Sequence, residues 1–291
     1  MAERIRINHE SLDARIQQLQ HWKVPESVRH ELLRFLDELG MGKVNRGNRI
    51  SPERQLKYLN ALHVPLEFFN KSSNRLTLKD IEDFERALSS GQLHHKRKGT
   101  PYAHGTQVEM RKLLRVFLRW RLGAAKALQL TDWLDTHARP KTPDFLREAD
   151  VERLYKHCRN AEQRFLIAVL FDSGARAEEF HNIRYEDLIM PEGRENFVKV
   201  ALKQEYSKTL GRTISLYWKH SLEAVKEYLA QRLVAGMKPS DPVFQGNYSA
   251  TRKFLQRLGR LVLERPVHYH LFRHSSATWY ATKLNRQELC W

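Results

Sequence analysis

Cysteine is nearly absent: Cys158 and Cys290 are the only two in 291 residues, and no CxxC pair occurs. A disulfide framework and a cysteine-ligated zinc site are therefore not expected, and the usage suits a reducing cytosol. Long hydrophobic runs are missing too. The longest, residues 165–171 (FLIAVLF), falls far short of the roughly 20 residues a membrane span needs. The first residues, MAERIRINHESLD, hold no apolar signal core. Internal repeats and low-complexity tracts are not seen. Acid is scarce beside base: 34 Asp+Glu face 50 Lys+Arg, for a formal charge of +16 and an isoelectric point near 9.9. Such a balance points to a polyanionic partner, either nucleic acid or an anionic surface, rather than to a small-molecule substrate. With no span in view, no membrane partner is expected.

What is present reads as a mainly α protein with a small antiparallel β-sheet, long enough for two domains. Residues 25–39 place Val28, Leu32, Phe35, Leu36 and Leu39 on one stripe, with Pro25 at the start and Gly40 past the end. Ser51-Pro52 reads as an N-cap and first-turn proline opening a helix through Leu62. Thr77 opens another, with Asp80 three residues on and Ile81, Phe84 and Leu88 inside. The segment 42–47 (GKVNRG) reads as an ordinary connecting loop.

A loop at residues 93–105 carries Lys96, Arg97 and Lys98. The helix that follows, about 106–122, puts Met110, Leu113, Leu114, Phe117 and Leu118 on one face, leaving Arg111, Lys112, Arg115, Arg119 and Arg121 mostly on the other. Eight Lys/Arg and a single acid, Glu109, fall between His94 and Arg121. A face built only for solubility would mix signs and gain from i,i+4 pairs. Lys96, Arg97, Lys98, Arg111, Lys112, Arg115 and Arg119 are therefore the expected DNA contacts.

Residues 139–145 read as a linker between residues 1–138, a helical DNA-binding part whose first 70 residues match no recognised pattern, and residues 146–291. Helices are expected at 148–157, 161–173, 221–234 and 249–263. Two alternating strands, 195–202 and 212–217, flank a turn-rich segment with Lys208; Lys203 competes for the same role.

Phosphodiester chemistry needs positive charge where the transition state gathers negative charge. Arginine suits this, because its planar fork donates two parallel hydrogen bonds and keeps its proton. Arg176 follows a buried-looking helix through Asp172-Ser173-Gly174, where glycine lets the chain turn. Glu179, three residues on, is placed to hold its guanidinium. His270 and Arg273 are three apart on a helix start. Lys208 fits a general acid for a departing hydroxyl. His268, His270 and His274 have no acid or cysteine beside them, so a metal site is not expected.

The order of these motifs resembles the tyrosine recombinases, or phage integrases. FLIAVLFDSGARAEEFHNIRYEDL (165–188) resembles the family's first signature. Ser207-Lys208-Thr209 followed by Arg212-Thr213-Ile214-Ser215-Leu216 resembles its lysine-bearing hairpin. His270-Leu271-Phe272-Arg273-His274-Ser275, then Ala277-Thr278, resembles its second signature. Leu76 to Arg121 is similar to its helical core-binding domain, so the likeness runs from about Leu76 to Trp291.

The resemblance implies a site-specific recombinase or integrase that clamps double-stranded DNA between two domains, needs no cofactor and assembles as a tetramer on DNA. Arg176 and Arg273 would hold the scissile phosphate, His270 would hydrogen-bond it, and Lys208 would protonate the leaving 5′-oxygen, with Glu179 and His274 supporting. A family tyrosine attacks to form a 3′-phosphotyrosyl link. That tyrosine lies further past the second arginine than this chain extends, and Tyr280, within the helix of Arg273, does not fit the role. The nucleophile is thus expected outside the chain, in a longer form or another subunit. As it stands the chain, residues 146–291 of which would be an incomplete catalytic domain, should bind DNA without cleaving it; a non-catalytic DNA-binding regulator is the alternative. A cytoplasmic, nucleoid-associated protein of a prokaryote, virus or plasmid is expected.

Overall fold

The computed structural model describes residues 4–7, 10–95, 98–139, 142, 144–207 and 210–283. The chain divides into two compact units, one of residues 9–141 and the other of residues 142–291 together with the first eight. The protein is mainly α-helical with one small antiparallel sheet.

The first unit contains α1 (Leu12–Gln17), α2 (Glu26–Met41), α3 (Pro52–Phe69), α4 (Leu78–Ser89), α5 (His104–Leu122) and α6 (Ala124–Thr131). All five stripe residues of α2 are buried. They meet Leu59, Leu62, Phe84, Leu88, Leu114, Phe117 and Leu118 in one core, where Phe35 and Phe117 pack edge to face at 5.2 Å. Thr77 and Asp80 cap α4 reciprocally, the Thr77 hydroxyl accepting from the Asp80 N–H and the Asp80 carboxylate accepting from the Thr77 N–H.

Two helix ends differ from the sequence expectation. Helix α2 runs through Gly40 and stops at Gly42, whose φ of +84° is the left-handed turn that glycine alone takes without strain; a Cβ there would sit 2.6 Å from the Gly47 carbonyl oxygen. Helix α3 continues past Leu62 to Phe69 with Pro65 inside it. Proline removes one helix hydrogen bond, but Pro65, Leu66 and Phe69 are all buried, and packing offsets the loss.

The second unit contains α7 (Glu148–Lys156), α8 (Ala161–Ser173), α9 (Ala177–His181), α10 (Ser221–Val234), α11 (Tyr248–Leu263), α12 (Tyr269–Ala281) and three short strands. Every residue of Phe165–Ser173 in α8 is buried. A helix apolar all round belongs at the centre of a core, and α7, α10 and α12 pack against it. Strands β1 (Leu188–Ile189), β2 (Val198–Leu202) and β3 (Arg212–Leu216) pair antiparallel in that order, with Val200 opposite Ile214 and Leu188 opposite Val200. Strand β1 is two residues long, too short to show any alternation in the sequence. Cys158 is buried, and burial pushes its thiol to about 12, so it acts as a small packing residue. No helix among the described residues is long and apolar enough to cross a membrane.

Candidate active site

Helix α8 delivers the first arginine. It ends at Gly174, which takes a left-handed turn (φ +55°) and lies so close to α12 that a Cβ would come within 2.8 Å of the Ser276 hydroxyl oxygen. Two residues later Arg176 opens α9. Its N–H donates to Glu179 Oε2 at 2.8 Å, and its guanidinium donates to Glu179 Oε1 at 2.7 Å.

Glu179 is fully buried, and two further side chains reach it. The Ser207 hydroxyl donates to Oε1 at 2.6 Å, and Arg212, the first residue of β3, donates to both oxygens at 3.3 and 3.0 Å. Burial alone would raise this carboxyl, but the hydrogen bonds from Arg212, Ser207 and Arg176 outweigh it and hold the group at about 2. A carboxylate ionised at neutral pH is thus fixed beside two arginines.

Helix α12 delivers the second signature. His268 caps it, its Nδ1 accepting from the Leu271 N–H at 3.1 Å. Arg273 donates to the Gly174 carbonyl at 2.7 Å, so the turn that aims Arg176 also holds Arg273. Burial, then the positive charges of Arg176 and Arg212, push the Arg273 guanidinium below its ordinary range. His270 is pushed down in the same way, by burial first and then by His274, Arg273, His268 and Arg176. The rings of His270 and His274 meet edge on, 5.4 Å apart. Arg176, Arg273, His270, His274 and Glu179 are therefore brought together from α8–α9 and α12. Lys208 lies outside the described residues. Lys203, its competitor, bridges Glu186 and Asp187 at 2.7 Å each, and these acids raise its ammonium. A lysine so stabilised in its charged form is a poor proton donor.

Tyr280 is committed elsewhere. Its hydroxyl donates to Asp172 Oδ1 at 2.6 Å and contacts the Ser215 carbonyl at 3.2 Å. Burial and the Asp172 charge push it far above the usual phenol range. Asp172 also accepts from the Trp218 N–H and the Ser221 hydroxyl, so it ties α8, α10 and α12 together. Among the described residues no group of three or more His, Cys, Asp or Glu could hold a metal ion.

Two of the expected DNA-contacting residues are corrected by the structure. Arg111 is buried and forks onto Glu85 of α4 at 2.8 and 2.6 Å. Arg115 caps the end of α6 by donating to the carbonyls of Thr131, Asp132 and Leu134. The acids and carbonyls that satisfy them come from other helices, which a count along α5 cannot register. Lys98, Lys112 and Arg119 are exposed; Lys96 and Arg97 lie outside the described residues. The same criterion applied to α11 finds a face that sequence reasoning missed. Helix α11 has no acid and exposes Arg252, Lys253, Arg257 and Arg260; among the described residues none of the four has an ion-pair partner. Arg212 was missed as well, since an arginine opening a strand looks like any edge charge until the fold sets it on Glu179.

A buried carboxylate bracing two arginines, with a third and a histidine arriving from a separate helix, is an arrangement chemically able to hold a phosphate or another oxyanion. Residues 144–285 match the model of the phage integrase family. Through this stretch, just under half of its length, the chain is similar to that family, the tyrosine recombinases. It is 23% identical over 228 residues to tyrosine recombinase XerA of Saccharolobus solfataricus, covering 76% of this chain and 70% of that protein. Its fold is similar to that of the XerH site-specific recombinase bound to its difH substrate, with a TM-score of 0.55, 14% identity and coverage of 97% of this chain and 89% of that one. It is also similar to a lambda integrase dimer bound to a core site, with a TM-score of 0.58, 12% identity and coverage of 89% and 88%.

Proposed function

We propose that this protein is a site-specific DNA recombinase that cleaves and rejoins duplex DNA through a 3′-phosphotyrosyl intermediate. The observation that carries this reading is the convergence of Arg176 and Arg273 at Gly174, with Glu179 locked as an anion behind Arg176. The Arg273 guanidinium, pushed down by burial and by its positive neighbours, is relieved when an anion sits beside it, and a phosphodiester in its transition state carries more negative charge than in its ground state. Arg176 and Arg273 grip the non-bridging oxygens, and His270 adds a hydrogen bond. A tyrosine oxygen attacks phosphorus, the bond from phosphorus to the 5′-oxygen breaks, and Lys208 supplies the proton for the leaving hydroxyl. A second 5′-hydroxyl reverses the step, so phosphate-bond energy is retained without ATP. Glu179 and His274 hold these groups in place.

The acid-free face of α11, with Lys98, Lys112 and Arg119 of the first unit, supplies phosphate contacts along the duplex. Relatives solved on DNA, XerH on difH and lambda integrase on its core site, support DNA as the partner and self-association on it. Tyr280 is not the attacking tyrosine in this reading, because its hydroxyl serves Asp172. The same observation favours the second reading, a DNA-binding regulator that keeps the fold without the chemistry.

A nicked suicide duplex separates the two readings. With the 291-residue chain, and with a form carrying whatever its gene encodes beyond, products are resolved on a denaturing gel. A covalent adduct that disappears in Arg176→Ala and Arg273→Ala supports the recombinase. Tight binding to a verified site without adduct from either form supports the regulator.

A further inference from the structure

The first described residues, 4–7, belong to the second unit rather than to the helical unit that begins at residue 9. Their attachment is specific. Asn182, just past the end of α9, is fully buried, and its carboxamide reads the backbone of a residue 177 positions away. Oδ1 accepts from the Ile5 N–H at 2.7 Å and Nδ2 donates to the Ile5 carbonyl at 2.8 Å, while Nδ2 also donates to the Glu178 carbonyl. Both ends of the amide thus engage one residue of that segment. Without that segment, Oδ1 would lose its Ile5 partner and Nδ2 one of its two.

The register so fixed places Arg4 across two elements. Its Nε and Nη2 meet Glu178 Oε1 at 2.9 and 2.8 Å, and its Nη1 donates to the Glu205 carbonyl at 3.3 Å. Glu178 lies on α9, two residues past Arg176. Glu205 lies in the 3₁₀ turn Gln204–Tyr206, which leads through Ser207 into the loop holding Lys208. The turn is otherwise fastened by the Tyr206 hydroxyl on Asp187 and the Ser207 hydroxyl on Glu179.

We propose that residues 4–5 form an intramolecular strap in which Ile5, seated on Asn182, lets Arg4 tie the turn before the lysine-bearing loop to the helix opened by Arg176, making Arg4 a positioning residue for that loop. The proposal rests on the recombinase reading for the role given to Lys208. The strap itself is independent of that reading. Arginine suits this link, because its planar fork sets two nitrogens on the carboxylate and the third on the carbonyl.

The test uses amide hydrogen exchange on the full chain and on Arg4→Ala, Arg4→Lys and a deletion of residues 1–7. Exchange across residues 203–212 should rise about tenfold in Arg4→Ala and in the deletion, the change one charge-assisted hydrogen bond supplies, while α8 stays protected. Arg4→Lys, which keeps the charge without the fork, should lose less protection than the alanine variant. A synthetic peptide of residues 1–8 added to the deletion form should restore protection, and a scrambled peptide should not. In a form that cleaves a nicked duplex, the single-turnover rate should fall with unchanged duplex affinity. Unchanged exchange at 203–212 overturns the strap whatever cleavage does. Raised exchange with an unaltered cleavage rate overturns the positioning role. Raised exchange in a protein that no form makes competent for cleavage upholds the strap and removes the recombinase reading instead.

Discussion

Replacing Glu179 by glutamine keeps the shape of the side chain and removes the charge on which Arg176, Arg212 and Ser207 converge. The carboxyl is held at about 2 against an ordinary 4.5. At 1.36 kcal/mol per unit, that depression corresponds to about 3 kcal/mol of stability at neutral pH. The sign follows from the direction. A depressed carboxyl contributes fully above the unfolded value near 4.5, and the contribution is lost as pH falls toward the folded value near 2. Glu179→Gln should therefore be less stable than the parent by about 3 kcal/mol at pH 7, within the range for removing one partner of a buried ion pair. The gap should narrow by roughly 1 kcal/mol by pH 3.5. Urea titrations followed by circular dichroism at several pH values measure it, with the transition of the second unit fitted separately because two-unit chains need not unfold in one step. A gap below about 1 kcal/mol at pH 7, or one that stays constant down to pH 3.5, would refute the claim that Glu179 is a charged keystone.

The remaining expectations concern other parts of the chain. Changing Lys253, Arg257 and Arg260 together to glutamine should weaken duplex binding and lower the salt slope by about 3, whereas Arg111→Met should leave the slope alone and destabilise the first unit; filter binding across salt concentrations separates the two. His181 is buried against the Tyr269 hydroxyl at 2.7 Å, and burial pushes its imidazole to about 4. Its folded form resists protonation, so stability should fall as pH drops from 6.5 toward 4, and His181→Gln should flatten that limb of the pH profile. Tyr280→Phe leaves Asp172 one hydrogen bond short and should cost about 1–3 kcal/mol in denaturation, yet a form competent for cleavage should still yield the covalent adduct; loss of adduct with unchanged stability would make Tyr280 the nucleophile.

Local patterns made much of this protein legible from sequence. The stripe of α2, the capping pair Thr77 and Asp80, the apolar run Phe165–Phe171 of α8 and the left-handed turn at Gly174 each depend on neighbours within a few residues, and the structure shows them as the spacing requires. The spacing of His270 and Arg273 on one helix is equally local. Helix length past Pro65 was not legible, because the packing that holds that turn comes from elsewhere in the unit.

Sequence by itself determined the helical class and the positive charge, since composition and short-range periodicity encode both. Only the tertiary structure decided which charges remain available. Arg111 and Arg115 are consumed by Glu85 and by the carbonyls at the end of α6, Lys203 by Asp187 and Glu186, while Arg212 is recruited to Glu179 and the face of α11 is left to solvent. An ionic or hydrogen-bonding partner is set by distance in space, and residues tens of positions apart in the chain meet only once the core has packed.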